Sequence, residues 1–191
     1  MKTASGPSGY WKECEQIVVS DVRFRVSGWL ELLRPPNLPT VPGDPLAGFA
    51  LASIGVLDVT WMRALPVVGT ALLLYSAGLL WNDIADVAED RRDRPRRPLP
   101  SERVSRPAAI GVATVLTAAG VAVAALSGTT ALITAAVLAG LVLTYTFVSR
   151  RIRGVGALNM GLCRGISLLL GAVAVGSAMP GAIVLAGMAG L

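Results

Sequence analysis

The chain of 191 residues contains no histidine. That excludes histidine-ligated zinc sites, Ser-His-Asp triads and histidine general bases, so any chemistry must rest on carboxylates, Arg, Lys, Tyr and Ser. Cysteine is nearly absent as well. Cys14 and Cys163 lie far apart and match neither a metal-ligand spacing nor a disulfide framework, which reads as two free thiols in a reducing compartment. Charged residues make up 15% of the chain and aromatics 5%, against 53% hydrophobic residues and a mean hydropathy of +0.63. Such a composition belongs in a bilayer. At roughly 20 apolar residues per span, the length allows at most about six spans and no second folded domain.

The net charge of +5 would suit nucleic acid if the cations formed one patch. Instead they lie between apolar segments, which is the pattern of membrane topology and implies no nucleic-acid partner. Residues 1–16 are polar, lack the apolar core of a secretory signal and read as a cytosolic tail. Over 17–34, Val18, Val22, Val26, Trp29 and Leu33 recur at helical spacing, predicting an interfacial amphipathic helix. Five segments of spanning length follow, at Leu38–Leu57, Leu65–Trp81, Ala108–Leu126, Thr130–Val148 and Ala157–Ala178. The first contains Pro39, Pro42 and Pro45, so its opening turn is expected to be irregular. A sixth apolar segment follows Pro180 and reaches Leu191.

Of the seventeen Lys and Arg residues, fifteen precede the first span or lie between spans two and three or four and five. Arg63 alone falls on the other side, and Arg164 falls inside span five. This alternation predicts a multi-pass protein of the cell (inner) membrane with the N-terminus and the 82–107 loop in the cytoplasm. A charge at mid-membrane costs roughly 2.5–3.5 kcal/mol, which directs Arg164 to a polar cavity or, by snorkelling, to the interface. Asp44 is a candidate cap of the first helix. Small residues crowd the spans, as at Ala118, Ala119 and Gly120, and allow close helix packing.

The informative stretch runs from Trp81 to Asp93. It carries Asp83, Asp86, Glu89, Asp90 and Asp93, five of only twelve acidic residues in the chain. At about 100° per residue from Asn82, Asp86 falls near about 40°, Asp90 about 80° and Asp83 about 100°, all on one helix face. Like charges so placed repel, and a magnesium ion carrying a diphosphate would relieve them, because magnesium takes oxygen ligands and keeps sites for phosphate. The alternative is a solvated acidic loop paired with Arg91, Arg92 and Arg94. The adjoining run Arg91–Ser101 favours the first reading, since guanidinium groups bind phosphate bidentately.

These residues resemble the UbiA superfamily of intramembrane prenyltransferases. Asn82-Asp83-x-x-Asp86-x-x-x-Asp90 matches its first aspartate-rich motif, NDxxDxxxD, and Arg94-Pro95-x-Arg97-Pro98-Leu99-Pro100-Ser101 matches the RPxRPLPSG segment, with Glu102 where glycine is common. Leu33-Arg34-Pro35-Pro36-Asn37 is similar to the family's entry to the first span, where the arginine can face an acceptor. Tyr145 and Arg150 resemble its tyrosine and basic residue after span four, although the usual spacing places the base at Ser149. Asn159, Met160, Gly161 and Arg164 fall where family members line the cavity.

The resemblance implies an all-α, polytopic bundle with nine helices in the family, of which this chain would hold five complete spans and a partial sixth, as a single, incomplete domain over 1–191. It further implies magnesium-assisted transfer of a prenyl group from an isoprenyl diphosphate to a small, membrane-accessible and in many members aromatic acceptor. Asp83, Asp86 and Asp90 would bind Mg2+ as the catalytic carboxylates. Asn82, Arg94, Arg97, Arg34, Tyr145, Arg150, Asn159 and Arg164 would bind substrates. The family's second aspartate-rich motif is expected beyond span six, and Glu102 is the one carboxylate after Asp93. The competing expectation is therefore a non-catalytic truncated UbiA-like membrane protein that binds a prenyl lipid or a partner subunit.

Overall fold

Thirty consecutive residues without an internal glycine pair or mid-helix proline, Ala64–Asp93, form the axis of the protein, a helix about 45 Å long. In the computed structural model, which describes residues 24–54, 56–57, 59–152 and 154–176, every regular element is a helix. We label residues 24–33 α1, Gly43–Ala52 α2, Ala64–Asp93 α3, Arg106–Ala124 α4, Thr129–Phe147 α5 and Val155–Val173 α6. The tail 1–16 and the apolar segment after Pro180 lie outside the described residues.

Among the described residues, four stretches are long and apolar enough to cross a membrane: Trp61–Asp93, Arg106–Ser127, Thr129–Phe147 and Val155–Val173. They correspond to the second to fifth expected spans. The first expected span is different, because Leu38–Leu57 contains only the ten-residue α2, preceded by a 3₁₀ segment, Pro35–Thr40. The closely spaced prolines explain it: each removes a backbone donor, and the chain cannot enter regular helix until the last of them occupies the first turn. The 82–107 segment is likewise helix as far as Asp93 and loop only beyond it. Its acidic residues therefore stand on a rigid helix face.

Two apolar clusters hold the bundle. Phe49, Val67, Leu74, Leu138 and Leu170 join α2, α3, α5 and α6 in one. Leu32, Leu80, Ile84, Val87, Leu99 and Val104 join α1, α3 and the 94–105 loop in the other, clamping the loop over the acidic end of α3. The buried side of α1 is formed by Gly28 and Leu32 with Trp29 and Leu33 partly covered, while Val26 is exposed; Val18 and Val22 lie outside the described residues. Arg103 ties this cap together, donating to Glu31 Oε2 at 2.6 Å and to the Arg96 carbonyl at 2.8 Å, with Phe24 stacked against it.

Glu102, in that loop, has φ 60°, the left-handed region that costs an L-residue about 1–2 kcal/mol. This accounts for the glycine common at that place in the matching motif. Glu102→Gly is expected to stabilise the solubilised protein by about 0.5–1 kcal/mol after the greater chain entropy of glycine is subtracted. A melting temperature unchanged or lowered by the substitution would count against that strain.

Candidate active site

Among the described residues, the acidic end of α3 is neutralised from three separate segments of the chain, one of them the loop directly after it. Arg34 Nη2 donates to Asp83 Oδ1 at 3.1 Å. Arg97 Nη1 donates to Asp90 Oδ2 at 2.8 Å and to Asp83 Oδ1 at 3.4 Å. Arg150 grips Asp86 with both ends of its guanidinium, Nη1 to Oδ2 at 2.7 Å and Nη2 to Oδ1. The hydrogen bond to Asp86 raises the Arg150 pKa above the ordinary arginine value, with burial opposing it. For Arg97, burial pulls down and the bond and charge of Asp90 outweigh it, again leaving the pKa raised. Both stay protonated at any physiological pH.

The expected partners Arg91 and Arg92 are exposed. Arg34 and Arg150 reach the acids across the fold and Arg97 from the loop that follows α3, whereas residues next in line on a helix point away from its acidic face. Arg34 adopts φ 47° between α1 and the 3₁₀ segment, a left-handed conformation that turns the chain beside Asp83. Such strain in a non-glycine residue collects at functional sites.

These groups surround an open hollow of about 270 Å³ lined by Arg34, Asn82, Asp83, Asp86, Glu89, Asp90, Asp93, Arg94, Arg97, Tyr145 and Arg150. Nine of the residues expected to act at the site are therefore brought together. Asn82 Oδ1 accepts from Thr146 Oγ1 at 2.8 Å, which fixes its orientation; Thr146 carried no signal in the sequence. Glu89 and Asp93 also join the wall, as their place in the acidic stretch allowed.

Asn159 is not on this wall. It is buried, donates to Ser149 Oγ at 3.0 Å and accepts from Cys163 Sγ at 3.4 Å, and it is among the lining residues of neither hollow. Ser149, where the family spacing places a base, is buried in the same network, and Arg150 supplies the cation at the site. Arg164 lines a second hollow of about 400 Å³, largely apolar, with Asp44, Thr40, Tyr75, Leu74, Leu138, Val142, Met160 and Ser167 among its lining residues. Asp44 does not cap α2; it accepts from Arg164 Nη2 at 2.9 Å.

The two hollows lie against the same faces of α3 and α5, one further along the helices than the other. Along α3, Tyr75 lines the lower and Asn82 and Asp86 the upper, and these residues share a face seven and eleven positions apart, a rise of about 10 Å from the first to the second. Along α5, Leu138 and Val142 line the lower and Tyr145 the upper. The sequence profile of the UbiA prenyltransferase family matches residues 45–191.

The chain belongs to the UbiA prenyltransferase family. A digeranylgeranylglyceryl phosphate synthase of Natronomonas pharaonis is 33% identical over 165 residues, 86% of this chain and 58% of that protein. One from Methanoculleus marisnigri is 27% identical across 76% of this chain and 51% of its own length. A solved structure of a digeranylgeranylglyceryl phosphate synthase superposes with a TM-score of 0.74 at 26% identity, covering 84% of this chain and 57% of that one. A UbiA homologue from Archaeoglobus fulgidus, bound to GPP and Mg2+, shares the fold with a TM-score of 0.67 at 17% identity, over 84% of this chain and 58% of that one. The chain thus spans little more than half the length of these relatives. It is an integral membrane protein with the all-α architecture of the family.

The donor chemistry of the upper hollow suits magnesium: carboxylate and amide oxygens, no sulfur or imidazole, and arginines beside them. Among the described residues no group of three or more His, Cys, Asp or Glu side chains is placed to hold a metal ion by itself. An ion here would complete its shell with water and diphosphate oxygens, the manner in which magnesium is ordinarily held.

Proposed function

We propose that the chain forms the diphosphate-binding half of a prenyltransferase site, which transfers a prenyl group from an isoprenyl diphosphate to an acceptor reached from the membrane. The observation that carries this reading is the upper hollow itself, where an acidic helix face meets arginines from three separate segments, on the same faces of α3 and α5 that line the apolar hollow. Asp83, Asp86 and Asp90 would hold Mg2+, with Asn82 oriented beside them by Thr146. The metal supplies charge for the departing diphosphate.

Arg34, Arg97 and Arg150 now neutralise the carboxylates. When a diphosphate enters, its oxygens offer them equivalent bidentate partners, so the arginines can pass from carboxylate to phosphate with no net loss of ion pairing. Arg94 and Tyr145 close the rim. Below, Leu74, Leu138 and Val142 provide the apolar wall that keeps water from the electron-poor prenyl carbon. The names of the relatives favour a glyceryl phosphate lipid over an aromatic acceptor. Placement of Arg34, Arg97 and Arg150 at one end of the bundle and Arg63 at the other supports a cytoplasmic site in the cell membrane.

Membranes carrying the complete reading frame, supplied with labelled geranyl or geranylgeranyl diphosphate and a prenylated glyceryl phosphate, are expected to form a new lipid product. Chelation by EDTA should abolish it, and added Mg2+ should restore it. Product formation that survives chelation, or none with any isoprenyl diphosphate, would sink the reading and favour a lipid-binding role without turnover.

A further inference from the structure

A third hollow, a cleft of about 200 Å³, opens between α1 and the start of α4, and Phe24, Arg25, Trp29, Glu102, Arg103 and Ala108 are among its lining residues. None of them lines the two hollows of the candidate active site. Its depth in the bilayer follows from α4: the membrane-crossing stretch Arg106–Ser127 begins here, so Ser105 and Ala108 stand at the level of the lipid headgroups. A half-buried tryptophan beside arginines suits that level. Further along α4, Ala108, Gly111 and Val115 are exposed and share one face at spacings of three and four residues, a track of small and apolar side chains leading from the cleft into the hydrocarbon.

The cleft carries both signs of charge. Arg25 supplies one guanidinium to its wall. Arg103 spends Nε on Ser101 and Nη2 on Glu31 and the Arg96 carbonyl, which leaves the N–H groups of Nη1 without a bond among the described residues. Glu102 is exposed, and its carboxylate has no hydrogen bond or ion pair among the described residues. Yet it holds φ 60°. A left-handed position is thus occupied by a side chain that the fold itself does not use, and such strain collects where a chain meets a ligand.

We infer that this cleft is a headgroup site for a phospholipid whose phosphate carries a primary ammonium, as in phosphatidylethanolamine. Arg25 and Arg103 Nη1 donate to the phosphate, and Glu102 accepts from the ammonium. Phe24 and Trp29 flank the glycerol, and one acyl chain descends along Ala108, Gly111 and Val115. A quaternary ammonium has no N–H to give Glu102, and a glycerol headgroup has no positive charge to offer it, so the carboxylate selects among lipids that share the phosphate. The bound lipid would join α1 and α4 to the cap, because Leu32 of α1 packs with Leu99 and Val104 of the loop. The site stands independently of the prenyl-transfer reading.

The test gives the full chain in detergent an equimolar mixture of phosphatidylethanolamine, phosphatidylcholine and phosphatidylglycerol with the same acyl chains, and counts the lipids retained by native mass spectrometry. One phosphatidylethanolamine per chain should be held in preference to either competitor by about fivefold or more, and adding it should raise the melting temperature. Glu102→Gln and Glu102→Gly should each abolish the preference. The glycine variant is expected to be the more stable protein, so its loss of preference cannot be laid to misfolding. Arg25→Gln should lower retention of all three lipids by about fivefold or more, while Arg151→Gln, which removes an equal charge from an exposed position away from the cleft, should leave it within about twofold. Equal retention of the three lipids, a preference for phosphatidylglycerol or phosphatidylcholine, no lipid retained, or a preference that survives Glu102→Gly would each overturn the inference.

Discussion

Replacing Asp86 and Asp90 together by asparagine is expected to lower prenyl transfer by about 10²–10³-fold in membranes carrying the complete reading frame. The size follows from what the two groups do in the proposed mechanism. Each carboxylate helps place charge opposite a diphosphate that becomes more negative as the carbon–oxygen bond breaks, and losing one such preorganised interaction costs other enzymes about two to three orders of magnitude. Asparagine is preferable to alanine here because both acids are tied to partly buried arginines, Asp86 to Arg150 and Asp90 to Arg97. Removing an acid altogether would leave a buried cation unpaired and damage folding for a reason unconnected with catalysis. The amide preserves an oxygen for the arginine and removes the charge that holds magnesium. The melting temperature of the double variant should therefore fall only modestly while product formation collapses. Activity retained to within a few-fold would place the diphosphate elsewhere.

The second large effect concerns the crossing of α2 and α6. A Cβ built on Gly48 would lie 1.8 Å from the Leu168 carbonyl oxygen, and one on Gly171 would lie 1.8 Å from that of Pro45. The two helices touch backbone to backbone, and no rotamer change can make room. Gly171→Ala or Gly48→Ala must push them apart, at an expected cost of about 1–3 kcal/mol. The displacement would also part Asp44 from Arg164, which sit on those same helices. Gly161→Ala is the internal comparison: nothing lies within 4 Å of its Cβ, and in a helix interior alanine should stabilise by about 0.5–1 kcal/mol. Thermal unfolding of the solubilised protein should therefore separate the three variants in sign as well as size. Equal melting temperatures for Gly171→Ala and Gly161→Ala would contradict the close crossing.

Much of the candidate site is legible in the sequence, because it depends on local repeats. A helix places residues at about 100° and 1.5 Å intervals whatever surrounds it, so Asn82, Asp83, Asp86 and Asp90 had to share a face once α3 continued past Trp81. The alternation of basic loops likewise follows from apolar segments of spanning length, and Arg34, Arg97 and Arg150 do reach one end of the bundle. The proline cluster before α2 announced an irregular entry, although the full shortening to ten residues was not foreseen.

That Arg34 meets Asp83 and Arg150 meets Asp86 was decided by the tertiary structure alone. Asp83 is 49 residues from Arg34, and Asp86 is 64 from Arg150; no periodicity relates positions on different helices, and only their packing angle and depth bring them together. The same holds for Asn159, which packing brings to Ser149 and Cys163. It holds above all for Asp44 and Arg164, 120 residues apart, which read separately as a cap and an uncertain charge. The sequence by itself determined a membrane protein with an acidic helix face and cations at one end. Only the close approach of helices decided that the face is shared with Arg34, Arg97 and Arg150 and that a charged pair lines the hollow beneath it, because Coulomb energy falls with distance and distance between helices is a property of the fold.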